Sequence, residues 1–157
     1  MNERKYPVIV CVGTPKVVGD SLGPKVGDRL KHYYNVPAYV YGTTESPVTG
    51  LNFLSYLEHV RLFHPGCMVI AVDACLGAKK EIGMVKYNMK GLRAGTALKK
   101  ELGEVGDVAF LGIVAESGKD NFRALSAVET GSVDVLAEKI AAKIFLFCSL
   151  LRLNYAK

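Results

Sequence analysis

The strongest constraint on this chain is an alternation of short apolar runs with amphipathic segments, established within its first half. Tyr6 to Gly13 is an almost unbroken β-type run, the pattern of a strand covered on both faces. Ser21 to His32 follows with Leu22, Val26 and Leu30 at a spacing of four, which is the repeat of a helix with one apolar stripe. Pro37 to Tyr41 reads as a second short strand. Val48 to Phe63 reads as an amphipathic helix carried by Leu51, Leu54, Tyr56, Leu57 and Val60, and Cys67 to Val72 as a third strand. Strands separated by helices must cross over rather than fold back as hairpins, so βαβαβ predicts a mainly parallel sheet. With helices on both faces, the expected fold class is α/β, a three-layer α/β/α sandwich.

The second half departs from this alternation. Ile82 to Met89 alternates like a strand, Gly91 to Thr96 reads as a loop, and Asp107 to Ala115 is an apolar strand. Phe122 to Val128 offers one or two helical turns, and Ser132 to Leu153 one long helix. A chain of 157 residues, 50% hydrophobic and without internal repeats, is expected to form a single domain over residues 1–157. The apolar run Ile144 to Leu151 falls well short of the roughly 18 residues that a bilayer span needs. It is expected to be a buried helix or a contact between copies of the chain.

Cys11, Cys67, Cys75 and Cys148 lie in apolar contexts without a CxxC spacing, which excludes a zinc ribbon and suits a reducing compartment. Met1 to Lys5 is short and polar, with no signal-peptide apolar core, so a cytoplasmic protein is expected. The net charge of +5 is moderate, and the lysines, as in Lys79-Lys80 and Lys99-Lys100, are not interleaved with aromatics. Nucleic acid is therefore not the expected partner. The loop Gly13 to Gly19 matches neither GxGxxG nor GxxxxGK[ST], so no nucleotide cofactor is expected.

In an open parallel sheet the ligand crevice lies beyond the carboxyl ends of the strands. Two acids fall there. Asp20 sits in Gly19-Asp20-Ser21-Leu22-Gly23-Pro24, and Asp73 directly follows Val69-Ile70-Ala71-Val72. On neighbouring strands, such carboxylates can split their pKa values for acid/base work or share a divalent cation. Asp20 has an alternative role as a helix N-cap, with Pro24 tolerated in the first turn. Asp73 would be costly to bury without a partner. Glu116, at the end of the Phe110 to Ala115 run, is a third candidate acid, with an ordinary turn residue as the alternative. The segment Gly91-Leu92-Arg93-Ala94-Gly95-Thr96 could bring amides and Arg93 to the same edge, to hold an extended peptide or an oxyanion. Ser21, Ser117 and Cys75 lack a histidine at a strand end to act as base. His32, His59 and His64 fall on helices or at a helix end, on surfaces expected to face solvent away from that crevice.

The motifs Val12-Gly13-Thr14, Gly19 to Val26, Tyr41-Gly42-Thr43, Ala71 to Gly77, Gly95, Val105-Gly106-Asp107 and Gly112-Ile113-Val114 resemble the YyaC-type sporulation proteins. That family is similar to the germination endopeptidase that degrades small acid-soluble spore proteins. The resemblance implies catalytic aspartates at Asp20 and Asp73. More distantly the pattern is similar to the hydrogenase-maturation peptidases, which hold nickel through two acids and a histidine. The acids again fall on Asp20 and Asp73, but no histidine stands near Ala94 or Gly95.

The combined expectation is a sporulation-associated peptidase with Asp20 and Asp73 as a catalytic dyad and no metal or other cofactor. Thr14, Arg93, Gly95 and Glu116 are the expected substrate-binding residues. The partner would be a protein or peptide substrate, small spore proteins included, in the cytoplasm or forespore, with self-association through the C-terminal helix. A non-catalytic peptide- or protein-binding module on the same fold, and a metal-dependent maturation peptidase, are the alternatives.

Overall fold

The computed structural model of the protein describes residues 5–93 and 104–154. Seven strands and four α-helices follow in the order β1 (Val8–Cys11), α1 (Leu22–Asp28), β2 (Tyr39–Tyr41), α2 (Phe53–Phe63), β3 (Val69–Gly77), β4 (Val85–Asn88), β5 (Leu92–Arg93), β6 (Glu104–Val105), β7 (Val108–Glu116), α3 (Asn121–Ser126) and α4 (Thr130–Asn154). Five strands form one sheet in the order β2-β1-β3-β7-β4. All its pairings are parallel except that of β4, which runs antiparallel along β7. The crossover argument therefore holds for the first three strands, and β4 is an antiparallel edge strand added beside β7.

Two apolar layers sandwich the sheet. Ile9, Cys11, Ile70, Val72, Phe110 and Val114 face α1 and α4, whose Leu22, Val26, Ile140 and Ile144 close that core. Val8 and Val10 face the other way, onto Phe53 and Val60 of α2. Helix α4 buries Val133, Leu136, Ala137, Ile140, Ala141, Ile144 and Cys148, a stripe at helical spacing along its whole length. Leu146 and Leu150 of the expected apolar run point outward, so that run is only half buried.

Several local expectations are corrected. β3 does not end at Val72 but continues to Gly77, because β7 extends beside it and accepts the pairing, with a register shift between Cys75 and Leu76. Helix α2 starts at Phe53 rather than Val48, since Val48 is taken up in a bridge with Val12, and the Asn52 side chain accepts the Thr49 amide at 2.8 Å. The helix after Asp20 is composite: a 3₁₀ turn over Gly19–Ser21, α1 itself, and a π turn over Arg29–Tyr33. Leu92–Arg93, expected as loop, pairs antiparallel with Glu104–Val105 as a separate two-stranded sheet. Among the described residues no helix is long and apolar enough to cross a membrane.

Candidate active site

The two aspartates reach one place because β1 is shorter than β3. β1 pairs with β3 only as far as Cys11 against Val72, after which Val12 bridges to Val48 on the other side. Asp73 is the next residue of β3, and at that level only β7 lies beside it, through Leu111. The 3₁₀ turn carrying Asp20 packs against β3 in the gap that β1 leaves. By strand alternation Asp73 shares the face of Ala71 and Cys75 rather than that of Val72.

The turn is fixed by its backbone. Gly13 has φ +145°, and a side chain there would meet the Asp20 carbonyl at 2.2 Å, so the chain closes directly on Asp20. The Gly13 amide donates to the Val48 carbonyl at 2.9 Å and the Thr14 amide to the Asp20 carbonyl at 3.0 Å. The Asp20 side chain caps no helix: Val18 and Ser21 are the N-caps of the 3₁₀ turn and of α1, and neither makes a side-chain cap. The N-cap alternative for Asp20 is thereby set aside.

Electrostatics set both carboxyls apart from ordinary surface acids. Burial pushes Asp20 up to about 6, against an opposing contribution from the Thr14 amide. Asp73 is raised well above the usual carboxylate range, first by burial and then by the Asp20 charge, with the Ala74 amide opposing. That second cause couples the two groups, since the Asp20 charge penalises ionisation of Asp73.

The other candidates divide. Thr14 stands beside Asp20 through its amide. Glu116 pairs with Gly77 at the far end of β3 and is exposed, four residues or about 13 Å along the strand from Asp73. It does not join the pair. Arg93 lies on β5 opposite Glu104, and Gly95 falls outside the described residues. Ser21 is buried and donates its hydroxyl to the Val18 carbonyl at 2.8 Å. The Cys75 thiol is pushed up by burial and by the Asp73 charge, which disfavours the nucleophilic thiolate.

The histidines require a correction. His59 and His64 are not simply solvated: both Nε2 atoms meet the Tyr41 hydroxyl, at 3.1 and 2.7 Å. Tyr41 ends β2, so an edge strand joins two imidazoles that the sequence separates from it by 18 and 23 residues. A signal for this was present, since Tyr56 and His59 are one helical turn apart on α2.

The donor set also bears on metal binding. Among the described residues no group of three His, Cys, Asp or Glu side chains converges to hold an ion. The sequence has no histidine near Ala94 or Gly95, the place of the third ligand in the maturation-peptidase pattern, and that segment lies outside the described residues.

Comparison with known proteins agrees with the fold. The profile of a family described as "Protein of unknown function (DUF1256)" matches residues 1–143. The "Uncharacterized protein YyaC" of Bacillus subtilis (strain 168) is 37% identical over 139 residues, covering 88% of this chain and 68% of that protein. The crystal structure of a [NiFe] hydrogenase maturation protease, HycI from Thermococcus kodakarensis KOD1, superposes with a TM-score of 0.63 at 18% sequence identity. It covers 94% of this chain and 95% of that one. The three-layer sandwich is thus shared with a protease.

Proposed function

This chain belongs to the DUF1256 family and carries a maturation-protease fold, and from that premise we propose that it hydrolyses a peptide bond in a protein or peptide substrate through Asp20 and Asp73. The observation that carries the reading is the raised carboxyl pair, in which the Asp20 charge lifts Asp73 further. With Asp20 at about 6, its carboxylate is mostly ionised at neutral pH and is the group able to take a proton from water. Asp73, raised well above the usual carboxylate range by burial and by the Asp20 charge, is the group assigned to donate a proton to the carbonyl oxygen or the leaving amine. As one group accepts and the other donates, the pair returns to its starting state after a proton passes between them or through solvent. The Thr14 amide positions the Asp20 turn.

The sporulation setting rests on the likeness of the Gly19 to Val26 and Ala71 to Gly77 motifs to YyaC-type proteins, with a cytoplasmic or forespore location to match. Small spore proteins are the substrates to try first. The test is cleavage of such proteins by the purified full chain and by its Asp20→Asn and Asp73→Asn variants. A loss of about 10²- to 10⁴-fold in each variant is expected for general acid–base residues. Cleavage unchanged in both variants, or stable substrate capture without turnover by the unaltered protein, would sink the dyad.

A further inference from the structure

A cavity of about 490 Å³ opens beside β2, away from the aspartate pair, lined by Lys31, Tyr41, Thr43, Ser46, Tyr56 and His59 among others. Its size falls within the range of small-molecule sites. Its chemistry is one-sided: among the described residues no carboxylate lines it, and every polar side chain in the lining can donate a hydrogen bond. The neighbouring cavity around Lys25 and Arg29 is the contrast, since Asp28, Asp134 and Glu138 share its walls, and Asp134 and Glu138 pair with those cations. Lys31 has no ion-pair partner among the described residues.

The donors are placed by the turn after β2 and by the π turn Arg29–Tyr33. Gly42 has φ +93°, and a side chain there would meet the Cys11 carbonyl at 1.9 Å, so the chain turns sharply after Tyr41. The following turn is closed by the Thr43 amide on the Ser46 carbonyl and the Ser46 amide on the Thr43 hydroxyl, both at 3.1 Å. It holds the Ser46 hydroxyl 3.3 Å from that of Tyr56. Lys31 stands on the π turn Arg29–Tyr33, closed by the Tyr34 amide on the Arg29 carbonyl at 2.9 Å. Such turns are rare and concentrate at functional sites.

The Tyr41 hydrogen bonds fix the tautomers of the two imidazoles. The phenol has one proton and can give it to only one imidazole, so the other Nε2 must carry its own hydrogen and donate to the phenol oxygen. His64 is held below its ordinary pKa by burial and by His59, and it makes the shorter contact, so it is the neutral acceptor. His59 is then the donor at Nε2.

We propose that this cavity binds an oxyanion, a carboxylate or phosphate group presented by a ligand, with Lys31 as the cation, the hydrogen-bonded Ser46–Tyr56 hydroxyl pair as the neutral donor, and His59 in the wall beside them. The site stands whether or not Asp20 and Asp73 cleave peptides.

The test follows the histidine Cε1 resonances of the full chain by NMR at constant ionic strength. Inorganic phosphate, glutarate, and a capped peptide with a single glutamate beside its glutamine counterpart are titrated in turn. A saturable shift of the His59 signal is expected, weakened about fivefold by Lys31→Gln or Tyr56→Phe, the value of one hydrogen bond. Lys25→Gln and Asp73→Asn should leave it unchanged, which separates this site from both the ion-paired cavity and the proposed dyad. Saturation by the glutamate peptide alone assigns the oxyanion to a protein partner, and saturation by phosphate or glutarate assigns it to a small molecule. No saturable shift with any probe, or full-strength binding by both the Lys31→Gln and Tyr56→Phe variants, overturns the proposal.

Discussion

Asp20 and Asp134 are both close to α1, yet the fold drives their carboxyls in opposite directions. Asp134, on α4, receives the Lys25 ammonium at 2.7 Å and lies 3.5 Å from the Arg29 guanidinium, and the Lys25 hydrogen bond holds it below the ordinary range. Asp20 is given no cation, and burial lifts it to about 6. The Lys25 that could have neutralised a nearby acid lies on α1 itself, five residues after Asp20, and is spent on the helix–helix contact. A paired acid is what a surface joint requires. An unpaired and desolvated one costs stability, and such departures gather where chemistry is done.

The sharpest way to break this contrast is the pH dependence of cleavage. If Asp20 must be ionised, kcat/KM falls about tenfold for each pH unit below about 6, nearly a hundredfold by pH 4. A profile flat between pH 4 and 7 would remove Asp20 as the base. The next effect is on stability. Asp20 binds its proton more tightly folded than unfolded, so stability is full below the unfolded pKa of about 4 and is lost as pH rises through about 6. Asp20→Asn should therefore raise the unfolding free energy at pH 7 by about 1 to 3 kcal/mol, a gain that vanishes near pH 4. Urea unfolding of both proteins at the two pH values measures it, and a destabilised variant at pH 7 would contradict the picture.

The smallest expected effect belongs to the other member of the comparison. Asp134→Asn should cost less than about 1 kcal/mol, because the Asp134 side chain keeps 43% exposure to screening solvent, and high salt should shrink that cost. Its contribution is present above the unfolded pKa and is lost as pH falls through the lowered folded value. Cleavage by this variant should match that of the unaltered chain. A large activity loss there would join the α1–α4 contact to the chemistry.

What could be read from the sequence followed from local pattern. The runs Val8 to Val12 and Met68 to Val72 announced buried strands, and an acid after each pointed to the crevice edge. The continuation of β3 through Ala74-Cys75-Leu76-Gly77 was hidden, because a lone aspartate interrupts the apolar run and mimics its end. Only the length of β7 beside it decides the matter. Glu116 looked equivalent to Asp73 for the same reason: both close an apolar run, but register places them at different heights. The union of His59 and His64 on Tyr41 is a tertiary event, visible in sequence only as Tyr56 and His59 sharing a helix face. The π turn that carries Lys31 has no compositional signature at all.

The glycine turn after β2 has a mechanical meaning. A side chain at Gly42 would collide with the Cys11 carbonyl at 1.9 Å, and one at Gly27 of α1 would collide with the Gly42 carbonyl at 1.9 Å. Edge strand, inner strand and helix therefore touch main chain to main chain, with no deformable layer of side chains in between. A push on Gly42 cannot be absorbed by a rotamer change and passes as displacement into α1, whose leading turn bears Asp20. The wall of the oxyanion cavity and the support of the carboxyl pair are, in engineering terms, a single stiff linkage.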